Sequence, residues 1–387
     1  MLWRLGPHLT ESRQVQLKPG WAINLLYDTP FKAVPFLIPP VRYGDRAVLV
    51  DRSAAIYMTD PLSGKSTRLG ELASGNGTPI IDSVIVSDTL LSSVAGTVYA
   101  NSLRDGRALW SFSGDDDIYR PPDANDDTVV VMTQHNTKDA VITGTLYAIG
   151  LRDGALRWQI SLGSFFLAGG PVIRGNVVYL STPPSAYDLA TGARLWQTPP
   201  DSLGTQNFPL GVGTPALDES GATLYAAIIN EPPSGKGGTG AVLALDAHTG
   251  ALRWKADLGV DFLNYFGQLW LSGDRVIVPT GDPGGRVVAL DTRTGAVAWR
   301  YQPPALRYGQ ITVASGRVWM ILQNGHVVIL DVETGKPAGQ YDELQLDLAS
   351  LRTIAQRPFV SADGKRAIVA LDTRLVGLEV VEEGAQP

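Results

Sequence analysis

One phrase recurs along the 387-residue chain and limits what it can fold into: Ala-x-Asp-x-x-Thr-Gly-x-x-x-Trp. Ala186, Asp188, Thr191, Gly192 and Trp196 match it in full. So do Ala244, Asp246, Thr249, Gly250 and Trp254, and Ala289, Asp291, Thr294, Gly295 and Trp299. Two copies keep the frame with Asp in place of Thr: Ala100, Asp105, Gly106 and Trp110, then Ala148, Asp153, Gly154 and Trp158. Two are eroded. One has Asp331, Thr334 and Gly335 with Gly339 at the Trp position; the other has Asp60, Ser63 and Gly64 with Arg68 there. A repeat of this length must be settled before any single motif is read.

The phrase glycines stand at 64, 106, 154, 192, 250, 295 and 335. Their spacing is that of a four-stranded propeller blade, about 40–50 residues. Each unit reads as short apolar runs broken by turn residues. Arg275-Val276-Ile277-Val278 is followed by Gly281-Asp282-Pro283-Gly284-Gly285, then by Arg286-Val287-Val288-Ala289-Leu290 and Thr294-Gly295. Runs of this kind separated by Gly, Pro and Asp predict antiparallel hairpins. No stretch sustains the 3.6-residue apolar period of a helix.

An eighth unit is expected to be shared between the chain ends. Glu383-Gly384 falls where Thr-Gly should be, and no Trp follows. Leu2-Trp3-Arg4-Leu5-Gly6 echoes the segment around Trp254, so residues 1–6 are expected to supply the missing outer strand. Closure of that kind removes the open sheet edges at the seam. The expectation is one all-β domain over 1–387, an eight-bladed propeller of four-stranded antiparallel blades. The blades are placed at about 33–72, 77–113, 118–163, 165–200, 210–258, 264–303, 307–342 and 348–384.

The phrase resembles the tryptophan-docking motif of the pyrroloquinoline-quinone-like propeller repeat. That family takes in quinoprotein dehydrogenases, the outer-membrane assembly factor BamB, and sensor domains of bacterial membrane kinases. The resemblance spans nearly the whole chain and specifies the fold; function lives in sites grafted on it. It implies an extracytoplasmic protein. It also implies docking roles for Trp3, Trp110, Trp158, Trp196, Trp254 and Trp299.

The 42 Gly and 26 Pro suit a ring of tight turns. The formal net charge of −6, with no cluster of Lys and Arg, argues against nucleic acid and against an anionic membrane surface, and the lack of a long apolar stretch argues against direct membrane insertion. The same balance implies that overall charge does not drive binding. Cysteine is absent, so no disulfide holds the fold, and none is needed at this size. Met1 to Gly6 has no apolar core of a signal peptide. A chain that starts on its first structural strand is expected to have been cut from a longer one, with a signal or an upstream domain before Met1. A monomer is expected.

The repeated Trp, Asp, Thr and Gly read as structure. Gly takes the left-handed turn position, Asp and Thr bond the turn backbone, and the indole packs between blades with its N–H paired. Binding is expected on the opposite face, where the connections between blades run and are long: 113–122, 197–213, 256–268, 301–310 and 340–357. Connections of this face carry Tyr119, Arg120, Phe208, Phe262, Tyr265, Phe266, Arg307 and Tyr308, and Phe165 and Phe166 stand in the shorter one between the third and fourth units. Aromatics beside arginine are the composition of binding hot spots. The candidate contact set is therefore Tyr119, Arg120, Phe208, Tyr265, Phe266, Arg307 and Tyr308, around the channel mouth. The competing reading makes these rings core residues that plug the ring top.

Other motifs carry less. The Gly235–Gly240 glycine run lies between two strands, so it is a hairpin and not a dinucleotide loop. Asp115, Asp116 and Asp117, with help from Asp123, Asp126 or Asp127, could hold calcium, but the EF-hand glycine and glutamate are missing. A solvated acidic loop is the preferred reading. His8, His135, His248 and His326 lack metal-ligand spacing. No nucleophile and base are clustered.

Three functions are open. The first, preferred, is a non-enzymatic scaffold similar to BamB, which binds a protein or small ligand and carries no catalytic residues and no metal. The second is a ligand-sensing ectodomain of a receptor or kinase. The third is quinone-dependent oxidation. The resemblance places an adjacent Cys pair beside the quinone in many such enzymes, and this chain has no Cys. No cofactor is therefore expected.

Overall fold

The computed structural model describes residues 14–24, 39–51, 53–73, 80–94, 96–114, 121–136, 142–164, 169–181, 183–203, 210–211, 213–230, 239–259, 268–280, 285–303, 311–322, 326–342, 357–370 and 374–382. They form eight antiparallel sheets in a ring, as the repeat predicts. Blade 1 runs Val41–Tyr43, Arg46–Val50, Ala55–Thr59, Ser66–Glu71, from channel to rim. Blades 2 to 7 follow in order, from Ile80–Val86 at the start of blade 2 to Pro337–Tyr341 at the end of blade 7. In blade 5 the innermost strand is split into Leu210–Gly211 and Ala216–Leu217, both paired with Thr223–Asn230.

Second and third strands are covered on both faces by neighbouring blades, so they read as continuous apolar runs rather than alternating ones. Ala47 to Val50 and Ala55 to Tyr57 are wholly buried. The cores lie between blades: Val130, Leu146 and Ala148 of blade 3 pack with Val178, Leu180 and Tyr187 of blade 4. Fourth strands face solvent on one side, and Leu156 and Leu195 are half exposed there.

The closing strand is not residues 1–6. Val15–Asn24 pairs with Arg374–Glu382, from Val15↔Glu382 to Asn24↔Arg374, and supplies the fourth strand of blade 8. Trp21 is its docking indole. Trp3 and residues 1–6 lie outside the described residues. The principle of closure by the two chain ends holds; the segment differs. In each fourth strand with a docking Trp, the register slips at the residue or pair just before the indole. The slip falls between Pro19 and Trp21 in the closing strand and beside Trp254 in blade 5.

Every docking indole reaches forward. Nε1–H of Trp21, Trp110, Trp158, Trp196, Trp254 and Trp299 donates to the carbonyls of Pro61, Leu151, Leu189, Ala247, Thr292 and Val332, at 2.7–3.0 Å. Each acceptor lies in the turn of the next blade. The phrase glycine of that turn lies flat under the ring. Gly295 has φ 72°, and a Cβ there would stand 2.6 Å from Cε3 of Trp254.

The two eroded phrases have separate causes. In blade 7 the row across the sheet is Trp319, Ile329 and Gly339, where blade 6 has Ile277, Ala289 and Trp299. The indole has moved from the fourth strand to the second, and Trp319 is fully buried between blades 7 and 8. Gly339 has no side chain because the closing strand takes its place: a Cβ would lie 2.8 Å from the Val15 carbonyl. An indole at 339 would dock on the third-to-fourth strand turn of blade 8, and there Val15 and Glu382 pair without a covalent turn between them. In blade 1 the register slips at Leu69, one residue beyond the Arg68 position. Leu69 packs into the core of blades 1 and 2. Its carbonyl crowds Gly106, and Asn101 Nδ2 donates to both Glu71 O and Gly106 O. Backbone contact replaces the indole at this joint.

Candidate functional site

The turn face carries the phrase residues, and they bond inside their own turns. Asp188, Asp246, Asp291 and Asp331 each accept, on Oδ1, the backbone N–H and the hydroxyl of the phrase threonine, at 2.7–3.0 Å. Asp246 also holds the Arg253 guanidinium at 2.8 Å. That hydrogen bond, with those from Thr249, brings the Asp246 carboxyl down to about 2. These groups hold turns.

A cleft opens on this face, between blades 5 and 6, with a volume of ≈ 450 Å³. Asp218, Glu219 and Ser220 form one wall, Asp274 and Arg293 the other. Tyr225 and Trp254 form its floor, ring centroids 5.8 Å apart, and both donate to the Thr292 carbonyl. Sequence reasoning missed the cleft. Its one signal is the first-to-second strand turn Asp218–Ala222, which carries Glu219 and Ser220 beside the floor.

The opposite face carries the connections. All seven contact candidates, Tyr119, Arg120, Phe208, Tyr265, Phe266, Arg307 and Tyr308, lie outside the described residues. So do Asp115, Asp116 and Asp117. The carboxylates that might have helped them are engaged elsewhere. Asp123 accepts the Ile173 amide of blade 4 at 2.7 Å, and burial pushes its carboxyl up. Asp126 accepts from Ser87 Oγ at 3.0 Å. Asp127 pairs with Arg157, whose hydrogen bond lowers the Asp127 carboxyl to about 2. Among the described residues no group of three His, Cys, Asp or Glu is placed to hold a metal.

Parts of the connections that are described are tied down. Pro200–Leu203 forms a 3₁₀ turn, Leu203 is buried against blades 4 and 5, and its carbonyl accepts from Lys255 Nζ at 3.0 Å. At the channel, the residues leading into the inner strands bond to one another. Gly170 N–H donates to Thr214 Oγ1 at 3.1 Å, and Thr312 Oγ1 donates to the Pro358 carbonyl at 2.7 Å. Arg357 of blade 8 donates from Nη1 to Gln268 Oε1 of blade 6 at 3.1 Å. Among the described residues no helix is long and apolar enough to cross a membrane.

Eight blades, forward-docking indoles and closure by both chain ends define a pyrroloquinoline-quinone-like repeat propeller. The sequence profile of the family described as outer membrane protein assembly factor BamB matches residues 27–159, 94–228 and 184–386. The chain belongs to that family. No curated protein sequence matches it. Among solved structures it is similar to BamB from Moraxella catarrhalis, at 16% identity and TM-score 0.64, over 94% of this chain and 99% of that one. A europium-containing methanol dehydrogenase matches at 12% identity and TM-score 0.62, over 94% and 93%. The Dos1 propeller matches at 12% and 0.62, over 94% and 95%. At these identities the three likenesses describe the fold.

Proposed function

We propose that the protein is a non-enzymatic binding propeller of the cell envelope, which presents its connection face to a protein partner. Membership of the BamB family supports a scaffold role in outer-membrane protein assembly. The observation that carries the reading is the division between the two faces. Phrase carboxylates and hydroxyls of the turn face bond within their own turns. The aromatic and arginine residues fall in the connections of the other face, and variable loops on a rigid frame are the usual carriers of recognition. Tyr119, Phe208, Tyr265, Phe266 and Tyr308 supply the apolar anchors, and Arg120 and Arg307 the polar ones.

Quinone chemistry is not part of this proposal. The chain offers no Cys pair, and Asp123, Asp126 and Asp127 are engaged by the protein. Photo-crosslinking tests the reading. A crosslinker at 265 or 308 is expected to trap a protein partner in cells, and one at 293 on the turn face is not. Crosslinks from 293 alone overturn it. Titration with the quinone and calcium is expected to leave the intrinsic fluorescence unchanged.

A further inference from the structure

The cleft between blades 5 and 6 owes its opening to two positions of the repeat. At the next joint round the ring, Arg275 begins the second strand of blade 6 opposite Asp291. Its guanidinium crosses to Glu333, in the phrase turn of blade 7, at 3.1 Å. Glu333 leans back over blade 6, where a Cβ on Gly273 would stand 3.2 Å from its Oε1. At the joint before the cleft, Arg174 Nη2 of blade 4 donates to the Glu219 carbonyl of blade 5. Each flanking gap is thus crossed by an arginine of the protein itself. At the joint of blades 5 and 6, Thr223 holds the Arg275 position, opposite Asp246, and Arg293 holds the Glu333 position. Thr223 is too short to cross, and its hydroxyl accepts from Arg253 of its own blade at 2.8 Å.

What remains is a cleft of ≈ 450 Å³, within the range of small-ligand pockets, roughly 300–1,000 Å³. Its charges do not cancel. Asp218, Glu219 and Asp274 line it with Arg253 and Arg293, but Arg253 is already matched by Asp246 at 2.8 Å. Three carboxylates therefore stand against one guanidinium. Asp218 is bound into its own turn through Ser220 Oγ and the Ala222 amide. Glu219 and Asp274 are exposed, and their carboxylates have no hydrogen bond or ion pair among the described residues. Beneath them lies the aromatic floor of Tyr225 and Trp254. Carboxylates above an aromatic floor suit an amphipathic cation, with its stem along the rings and its head among the acids.

We infer that this cleft binds a small organic cation, a guanidino or amino compound with a short apolar stem, which takes the place that Arg275 fills at the next joint. The site is on the turn face and separate from the partner-binding connection face, so either reading can fail alone.

The test uses the full chain and n-butylguanidinium, with n-butylurea as the neutral control and butyrate as the anionic one. The readout is the indole N–H resonance of Trp254, identified by its loss in Trp254→Phe. Butylguanidinium is expected to shift it saturably and to leave the Trp158 resonance in place; the two controls are expected to do nothing. The double variant Glu219→Gln/Asp274→Asn is expected to weaken binding about tenfold, the scale of two exposed ion pairs. Arg293→Glu removes the one unmatched cation and is expected to tighten it about fivefold. Thr223→Arg/Arg293→Glu rebuilds the bridging pair of the next joint and is expected to abolish binding. Urea midpoints of the first two variants are expected to match the parent, so that folding does not decide the result. The inference is overturned if butylguanidinium does not bind, if butylurea binds equally, or if the folded Glu219→Gln/Asp274→Asn variant binds as the parent does. A protein trapped by the crosslinker at 293 would assign the cleft to a basic side chain of that protein and overturn it also.

Discussion

Gly295→Ala separates two costs that the docking turn combines. The residue has φ 72°, and an L side chain in the left-handed region costs roughly 1–2 kcal/mol. The added methyl would also stand 2.6 Å from Trp254 Cε3. The ring has to shift, and overpacking of that kind costs roughly 1–3 kcal/mol more. Gly316→Ala supplies the control, because Gly316 has φ 71° and nothing within 4 Å of its added Cβ. Gly295→Ala should therefore cost ~2–5 kcal/mol and Gly316→Ala only ~1–2. Heat is a poor readout. At ~2 cal/mol/K per residue, a ring of this length loses only about 1 °C per kcal/mol. Urea unfolding followed by far-UV circular dichroism resolves the difference better. Adding Trp254→Ala to Gly295→Ala should remove the clash, so the double variant should lose less than the sum of the singles. Equal losses for the two glycines, or strict additivity with Trp254→Ala, would refute the account.

Other expectations follow from the same contacts. Trp21→Ala should cost ~2–4 kcal/mol in urea, as a partly buried docking indole whose hydrogen bond to Pro61 is lost. Deletion of residues 14–24 should leave Arg374–Glu382 as a bare edge and produce oligomers on size exclusion. Trp319→Ala should cost ~3–5 kcal/mol, as much as Trp299→Ala. Trp319→Phe should cost much less than Trp319→Ala, because the buried Trp319 N–H has no hydrogen-bond partner among the described residues. For Asp246, the carboxyl lies near 2 when folded and near its ordinary value when unfolded, so the unfolded chain binds more protons between. Its stabilisation is complete above about pH 4 and is lost as pH falls toward 2. Asp246→Asn should flatten that part of the urea-midpoint profile, and an unchanged acid limb would count against the pairing with Arg253.

The ring itself was legible because its turn chemistry repeats. Gly250, Gly295 and their counterparts are fixed by backbone geometry and by an indole overhead, and those demands leave the same residues in each blade. The closing strand was misplaced because Trp3-Arg4-Leu5-Gly6 imitates a fourth strand. The true one carries its indole just after Pro19-Gly20, where the register slips as it does before the other docking tryptophans. Gly339 and Arg68 made two copies of the phrase look eroded. The phrase was sought only on fourth strands, so Trp319 on a second strand and the backbone joint at Leu69 went unseen. Periodicity carries no information on the connections, where the candidate contact residues stand. Their composition alone pointed to that face.

The gap between Glu382 and Val15 has a consequence for how the ring could be rebuilt. Seven blades close their last hairpin covalently, and one closes it by pairing alone. A circular permutant that joins Glu382 to Val15 through an Asp-x-x-Thr-Gly turn, and opens the chain between Asn24 and Val41, would give blade 8 the loop it lacks. The Val15 carbonyl could then withdraw from Gly339. Gly339→Trp, excluded in the present connectivity, would find a turn to land on. The break in the chain is thus a movable property of the polymer, and the order of the blades around the axis does not depend on where the ends are left.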